Sequence, residues 1–260
     1  MHLPTSEAPL DPEAQRAADR RRLGAALRGS IAFVLLLVIV FGLQGLGEHR
    51  MFAVAPLSPA GLAGILTAPL LHGSPAHLIA NASALLILAT LALAVYPRAT
   101  LRAAPLMWLG SGLGAWLLGD PGSYHLGASG VTHGLMFLLF MLGLLRRDRA
   151  SIAAGMIAFF FYGGMLLTVL PREPGVSWQS HLGGALGGIL AAFAFRHADP
   201  VPQRRKYSWE LEEEEAERAA QAERDTFEPG SPQDVPVLWH REERGEERGT
   251  VLPFRRRDES

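Results

Sequence analysis

A serine, two histidines and an asparagine stand where their chemistry can be combined. Ser129 lies in Gly127-Ala128-Ser129-Gly130, which opens an apolar run ending at Arg146-Arg147. His181 opens the last apolar run, and His77 opens an earlier one with Asn81 a turn further in. A serine hydroxyl becomes a nucleophile when a base takes its proton, and imidazole suits that role near neutral pH. Acyl transfer also needs donors for the oxyanion. A serine in the first turn of a helix brings unpaired backbone N–H groups and the positive end of the helix dipole. His77 and Asn81, spaced i and i+4, share one helix face and can donate to one oxygen. Donors aimed at developing charge are often the largest catalytic contribution. Each residue alone has a plainer reading: a lone serine packs against its own helix, and a lone His or Asn bridges two helices. Chemistry is favoured because all four occur together.

The elements that must position them are membrane helices. Residues 29–197 are mostly Ala, Leu, Gly, Phe, Val and Ile, while the charges crowd into the two ends and sum to only −1. Six apolar runs, at about 30–47, 77–96, 100–118, 128–145, 151–170 and 181–196, each approach the length of a spanning helix. No alternation with a period of two suggests a barrel. The stretch 57–71 holds Pro59, Gly61, Gly64 and Pro69 and reads as a loop with a part-embedded segment. The first run has no cleavage site after it and is read as a retained span. No cysteine is present, which excludes disulfides, thiolate nucleophiles and Cys-based zinc sites.

Arg and Lys set the orientation. They are dense before the first run, at Arg98 and Arg102, at Arg146, Arg147 and Arg149, and after the sixth run; the other links carry only Arg50 and Arg172. Six spans put every dense segment on one side, so both termini are expected in the cytoplasm. The runs that begin with His77, Ser129 and His181 then all enter from the outside. The four polar residues fall at one depth, and intramembrane polar groups are costly enough to imply function.

Glycines allow these helices to meet. Gly127, Gly130 and Gly134 line the start of the fourth run; Gly183, Gly184, Gly187 and Gly188 form two overlapping GxxxG patterns in the sixth. Small residues at this spacing let helix backbones approach closely. Gly127, Gly130, Gly184 and Gly188 are therefore expected at helix contacts.

The ends are different material. Residues 1–28 form a cytoplasmic segment in which Asp11-Pro12-Glu13 starts a surface helix. Residues 198–260 are a charged cytoplasmic tail. Ser208 caps a helix through Glu210 to Arg224, and Pro229, Pro232 and Pro236 prevent any helix beyond it. The tail is expected to be partly helical and partly disordered, either simply solvated or a docking segment for a cytoplasmic partner.

His77-x-x-x-Asn81, Gly127-x-Ser129-Gly130 and His181-x-x-Gly184-x-x-x-Gly188 together resemble the motifs of the rhomboid intramembrane serine proteases. Thr67-Ala68-Pro69-Leu70-Leu71-His72-Gly73 is similar to the family's approach to its second span. The resemblance covers roughly residues 30–197. It implies an all-α, six-transmembrane-helix bundle with a Ser129–His181 dyad and no acidic third member. Ser129 is then nucleophile and His181 general base, then general acid. His77, Asn81 and the Ser129 N–H form the oxyanion hole. The implied substrates are single-pass or multi-pass membrane proteins, cut near the outer end of a transmembrane helix. Neither metal nor other cofactor is implied, and no nucleic-acid partner. The expected location is the plasma (inner) membrane, with the site open to the outer side.

Two positions depart from the family pattern. His133 stands where the family usually has an aromatic residue under the catalytic imidazole; it can stack, and it is expected to position His181. The first outer loop, 48–75, has no Trp and only Arg50, and this short form is similar to the rhombosortase-like branch, which processes C-terminal anchoring signals. Two rivals remain. One is an inactive rhomboid-like protein that binds client helices, which needs none of Ser129, His181, His77 or Asn81. The other is a metal site or transporter using His72, His77, His125, His133 and His181; it is disfavoured because the runs contain no carboxylate, Asp120 and Glu173 lying in outer loops.

Overall fold

The computed structural model describes residues 12–47, 49–171, 174–200 and 208–227. These divide into two compact units, Met1–Pro202 and Gln203–Ser260. The first contains α1 (Pro12–Gln44), the one-turn α2 (Gly64–Thr67), α3 (Pro75–Val95), α4 (Pro97–Leu118), α5 (Ser129–Arg146), α6 (Arg149–Tyr162) and α7 (Trp178–Phe195). The second contains α8 (Ser208–Phe227). No strand occurs among the described residues; Val54 and His125 form a single antiparallel bridge.

Four helices are long and apolar enough to cross a membrane: Arg16–Gln44 within α1, α3, α5, and Arg149–Leu166, which is α6 with its 3₁₀ extension. Their outer faces stay apolar: Leu35, Ile39, Ile79 and Phe160 are exposed, as hydrocarbon demands and water forbids. The chain is an all-helical, multi-pass membrane protein. Helices α4 and α7 are not among the four. Arg98 and Arg102 interrupt one, and Trp178-Gln179-Ser180-His181 opens the other. The main core joins the helices through Leu37, Leu85, Leu88, Met107, Leu138 and Leu142, with Ala154, Ala158, Ala191 and Ala192 among its small members; a smaller cluster holds Val54, Ala68 and Ala115.

Three features differ from the sequence reading. The surface helix of residues 1–28 and the first span are one continuous helix. At about 1.5 Å per residue, α1 reaches about 50 Å, well beyond a hydrocarbon core of about 30 Å. The junction Leu23–Ser30 holds no proline, and Gly24 and Gly29 weaken a helix without ending it, so the charged and apolar stretches fuse. The fifth run does not stay helical to residue 170. The α-helix ends at Tyr162, tightens into a 3₁₀ turn at Gly163–Leu166 and then unwinds, where two consecutive glycines give the least helical support. The first unit also takes in Asp199 and Pro200, beyond residue 197. Asp11, Glu173, Arg172 and the prolines from Pro229 onward lie outside the described residues, as does the Ser208 side chain.

One pole of the bundle is closed by polar links. Asp199, just past α7, accepts from the N–H groups of Arg98 (3.0 Å) and Ala99 (2.9 Å), and so caps α4 from a distant part of the chain. Arg146, ending α5, donates to the carbonyls of Arg196 (3.2 Å), Asp199 (2.9 Å) and Pro200 (3.1 Å). Its guanidinium also pairs with Asp148 at 3.2 Å and lies over the Tyr96 ring. Asp148 caps α6 by accepting from the Ser151 N–H at 3.0 Å and from its hydroxyl. The opposite pole carries the loops before α3, α5 and α7.

In the second unit, α8 is acid-rich at its start, where the dipole favours Glu212 to Glu215. Glu214 and Arg218 form an i, i+4 pair at 3.7 Å.

Candidate active site

The chain enters α5 through a turn that only glycine makes easily. Gly127 has φ of 118°, and its N–H donates to the Ala68 carbonyl at 2.9 Å. A Cβ there would come within 2.5 Å of His77 Cε1 and 2.8 Å of His77 Nε2. Glycine is thus needed twice, for backbone sign and for room beside the imidazole. Gly127 lies before the helix and faces His77, rather than serving a helix–helix contact.

Ser129 is the first residue of α5, and His181 lies in the first turn of α7. His181 Nε2 and Ser129 Oγ are 2.9 Å apart. His181 Nδ1 is 3.0 Å from the Thr168 carbonyl. A carbonyl only accepts, so Nδ1 carries the hydrogen and the neutral ring has a bare Nε2. The Ser129 hydroxyl therefore donates to that nitrogen. This is the geometry of a hydroxyl with its base, and a backbone carbonyl does the orienting.

His133 lies flat under His181, with centroids 3.8 Å apart and planes 13° from parallel. Its Nδ1 donates to the Ser129 carbonyl at 2.6 Å, and its Nε2 is 2.8 Å from the Thr168 hydroxyl. Nothing in the sequence singles out Thr168. It sits inside an apolar run, and it comes to the site only because α6 ends early. The Gly163-Gly164 pair is the available signal.

Backbone contact between helices sets where α5 and α7 stand. An added Cβ at Gly184 would strike the Gly130 carbonyl, and one at Gly188 the Gly134 carbonyl. On the adjoining face, Gly183 and Gly187 lie against the carbonyls of Gly110 and Leu106 in α4. A Cβ at Gly130 would meet Ser111 Oγ, which is hydrogen-bonded to Ser180 Oγ at 2.8 Å. So α7 is wedged between α4 and α5 with almost no side chain in the way, the packing that small residues permit in lipid.

On α3, Ser74 caps the helix by accepting from the His77 N–H at 3.1 Å. His77 and Asn81 line the same cavity as Ser129 and His181, a space of about 1050 Å³. The Asn81 side chain is buried, yet its Nδ2 has no acceptor. Buried donors are nearly always paired, so an unpaired one beside a cavity marks a place for an incoming acceptor. His72 packs edge-on against His77 at 5.2 Å; its two ring nitrogens are buried and unpaired. Gln44 holds the His72 backbone in place through two 2.9 Å bonds.

His125 ties three loops together. Its backbone pairs with Val54, and its ring lies 2.6 Å from Ser177 Oγ and 2.9 Å from Ser123 Oγ. Burial pushes its pKa below the ordinary value, with Asp120 opposing. The five histidines of the outer loops and helix starts thus fall into a stacked pair, an edge-on pair and a loop tie. Among the described residues, no three His, Asp or Glu side chains converge on a point where one metal ion could sit.

Residues 59–198 match the family model of the rhomboid domain. An uncharacterized protein of Mycobacterium tuberculosis is 38% identical over 173 residues, covering 63% of this chain and 72% of that protein; one of Mycobacterium bovis gives the same values. An uncharacterized protein of Mycobacterium leprae is 34% identical over 206 residues, covering 74% of this chain and 80% of its own. With that match laid over the helices that carry Ser129, His181, His77 and Asn81, the chain belongs to the rhomboid family.

Proposed function

We propose that this protein is an intramembrane serine endopeptidase. The observation that carries the reading is the Ser129 hydroxyl directed at the bare Nε2 of His181, 2.9 Å away, at the edge of a 1050 Å³ cavity. Ser129 Oγ attacks the scissile carbonyl carbon while its proton passes to His181 Nε2. The carbonyl oxygen becomes an oxyanion, which accepts from Asn81 Nδ2, the His77 ring and the Ser129 N–H. The C–N bond then breaks, and His181 returns the proton to the leaving amine. Water from the cavity attacks the acyl ester with His181 again as base, releasing the new carboxylate and restoring Ser129.

The substrate is a transmembrane segment whose end unwinds into the cavity. The arginine distribution supports six spans, with α4 and α7 as the inner two, and the Arg146–Asp199 pole facing the cytoplasm. The cavity then opens on the outer side of a plasma membrane, and both termini lie inside. The test is cleavage of a single-span substrate in liposomes, with fluorophosphonate labelling in parallel. Wild type is expected to cleave and to be labelled, and Ser129→Ala and His181→Ala to do neither. Cleavage that survives Ser129→Ala would overturn the reading. A wild-type protein that is never labelled but still captures client helices would favour an inactive binder.

A further inference from the structure

The polar contacts around the two stacked imidazoles close into a ring. Ser129 Oγ meets His181 Nε2 (2.9 Å), and His181 Nδ1 meets the Thr168 carbonyl (3.0 Å). The Thr168 hydroxyl meets His133 Nε2 (2.8 Å), and His133 Nδ1 returns to the Ser129 carbonyl (2.6 Å). One residue therefore serves both rings, with its main chain on His181 and its side chain on His133.

We infer that Thr168 is the third, positioning member of the site, holding the base directly through its carbonyl and indirectly through its hydroxyl by way of His133. The inference rests on the hydrolase reading and extends it. Two carbonyls, of Thr168 and Ser129, each require a hydrogen on the Nδ1 they face. Both neutral rings are thereby fixed as the same tautomer. His181 keeps its bare Nε2 for Ser129, and His133 keeps its own for the Thr168 hydroxyl. The hydroxyl has a second acceptor, the Met165 carbonyl at 3.1 Å. Its one hydrogen goes to the bare Nε2 of His133, which at 2.8 Å is the nearer acceptor. With His133 held at both ends and stacked 3.8 Å from His181, the base has little freedom to tilt. No acidic residue is needed to orient it. Thr168 belongs to the segment between α6 and α7, so the position of that segment is built into the alignment of the dyad.

The test compares Thr168→Val, Thr168→Ser, His133→Phe and the double variant Thr168→Val/His133→Phe in the full-length protein. His133→Phe keeps the stack but removes both nitrogens. Thr168→Val is expected to lower both the Ser129 labelling rate and kcat about tenfold, the size of one lost orienting hydrogen bond, with KM within about twofold. Thr168→Ser should restore the rate. In the His133→Phe background, Thr168→Val should change the rate by less than about twofold, because the link is already cut. A Thr168→Val protein working at the wild-type rate, or effects that multiply in the double variant, would overturn the inference. Thermal unfolding in detergent identifies a variant that has failed to fold, and Thr168→Ala is then read in the same way. Absence of labelling in wild type would remove the hydrolase reading and Thr168's role with it. Labelling indifferent to Thr168 would remove the second alone.

Discussion

The two poles of the bundle both bury polar side chains, and they use them in opposite ways. At the Arg146 pole the charges are spent inside the molecule. Arg146 satisfies three carbonyls and Asp148, while both Asp199 oxygens hold N–H groups of α4. At the Ser129 pole the buried groups are uncharged in the arrangement described, and Asn81 Nδ2 is left without an acceptor beside a cavity. Tyr96 and Thr100 leave hydroxyls unpaired near the charged pole, but neither borders that cavity. The charged network consumes the donors of Arg146, whereas the Ser129 pole keeps one donor in reserve beside the cavity.

Substitutions can break or sharpen this contrast. The largest effect is expected at the reserve. Asn81→Ala should slow turnover by about 10²–10³, or about 2.7–4 kcal/mol in the transition state, with a melting temperature no lower than wild type. Parallel kcat and unfolding measurements check it, and a large loss of stability would mean that Asn81 is structural after all. Arg146→Met should do the reverse. Losing its charge-assisted bonds to three carbonyls and to Asp148 is expected to remove about 2–3 kcal/mol of stability, while kcat per folded molecule changes little. Asp199→Ala uncaps α4 and should cost about 1 kcal/mol, seen as a smaller shift in melting temperature. The smallest effect concerns acid. Burial raises the Asp148 pKa, but the bonds from Ser151 and Arg146 outweigh it and hold the carboxyl below its ordinary value. A depressed folded-state pKa gives stability that is present above the unfolded value. That share is lost as pH falls through the folded one. Acidification below the ordinary carboxylate range should therefore lower the melting temperature less in Asp148→Asn than in wild type.

Much of this is legible in the residues themselves. Ser129, His181, His77 and Asn81 are visible because polar groups stand out against long apolar runs, and the glycine spacing of α7 says that a helix can come close. The early end of α6 is not visible in the same way. Gly163-Gly164 does not lower the apolar character of the run, and hydropathy cannot tell an α-helix from a 3₁₀ turn followed by a loop. Thr168 is hidden for a further reason. Half of what it does is done by a carbonyl, which every residue has. The fusion of α1 escapes a sequence reading because a change from charged to apolar residues looks like a boundary, although helical hydrogen bonds take no notice of it.

The glycine contacts of α7 have a consequence for how the site responds to change. Where side chains separate two helices, rotamers and mutations let the gap drift by fractions of an ångström. Here the carbonyls of Gly130 and Gly134 rest against Gly184 and Gly188, so the gap is a distance between main chains. Repacking cannot tune it, and no larger side chain can be accepted without moving the helix. The separation of Ser129 and His181 thus has the stiffness of the backbone itself, and variation is left to the loops that line the cavity.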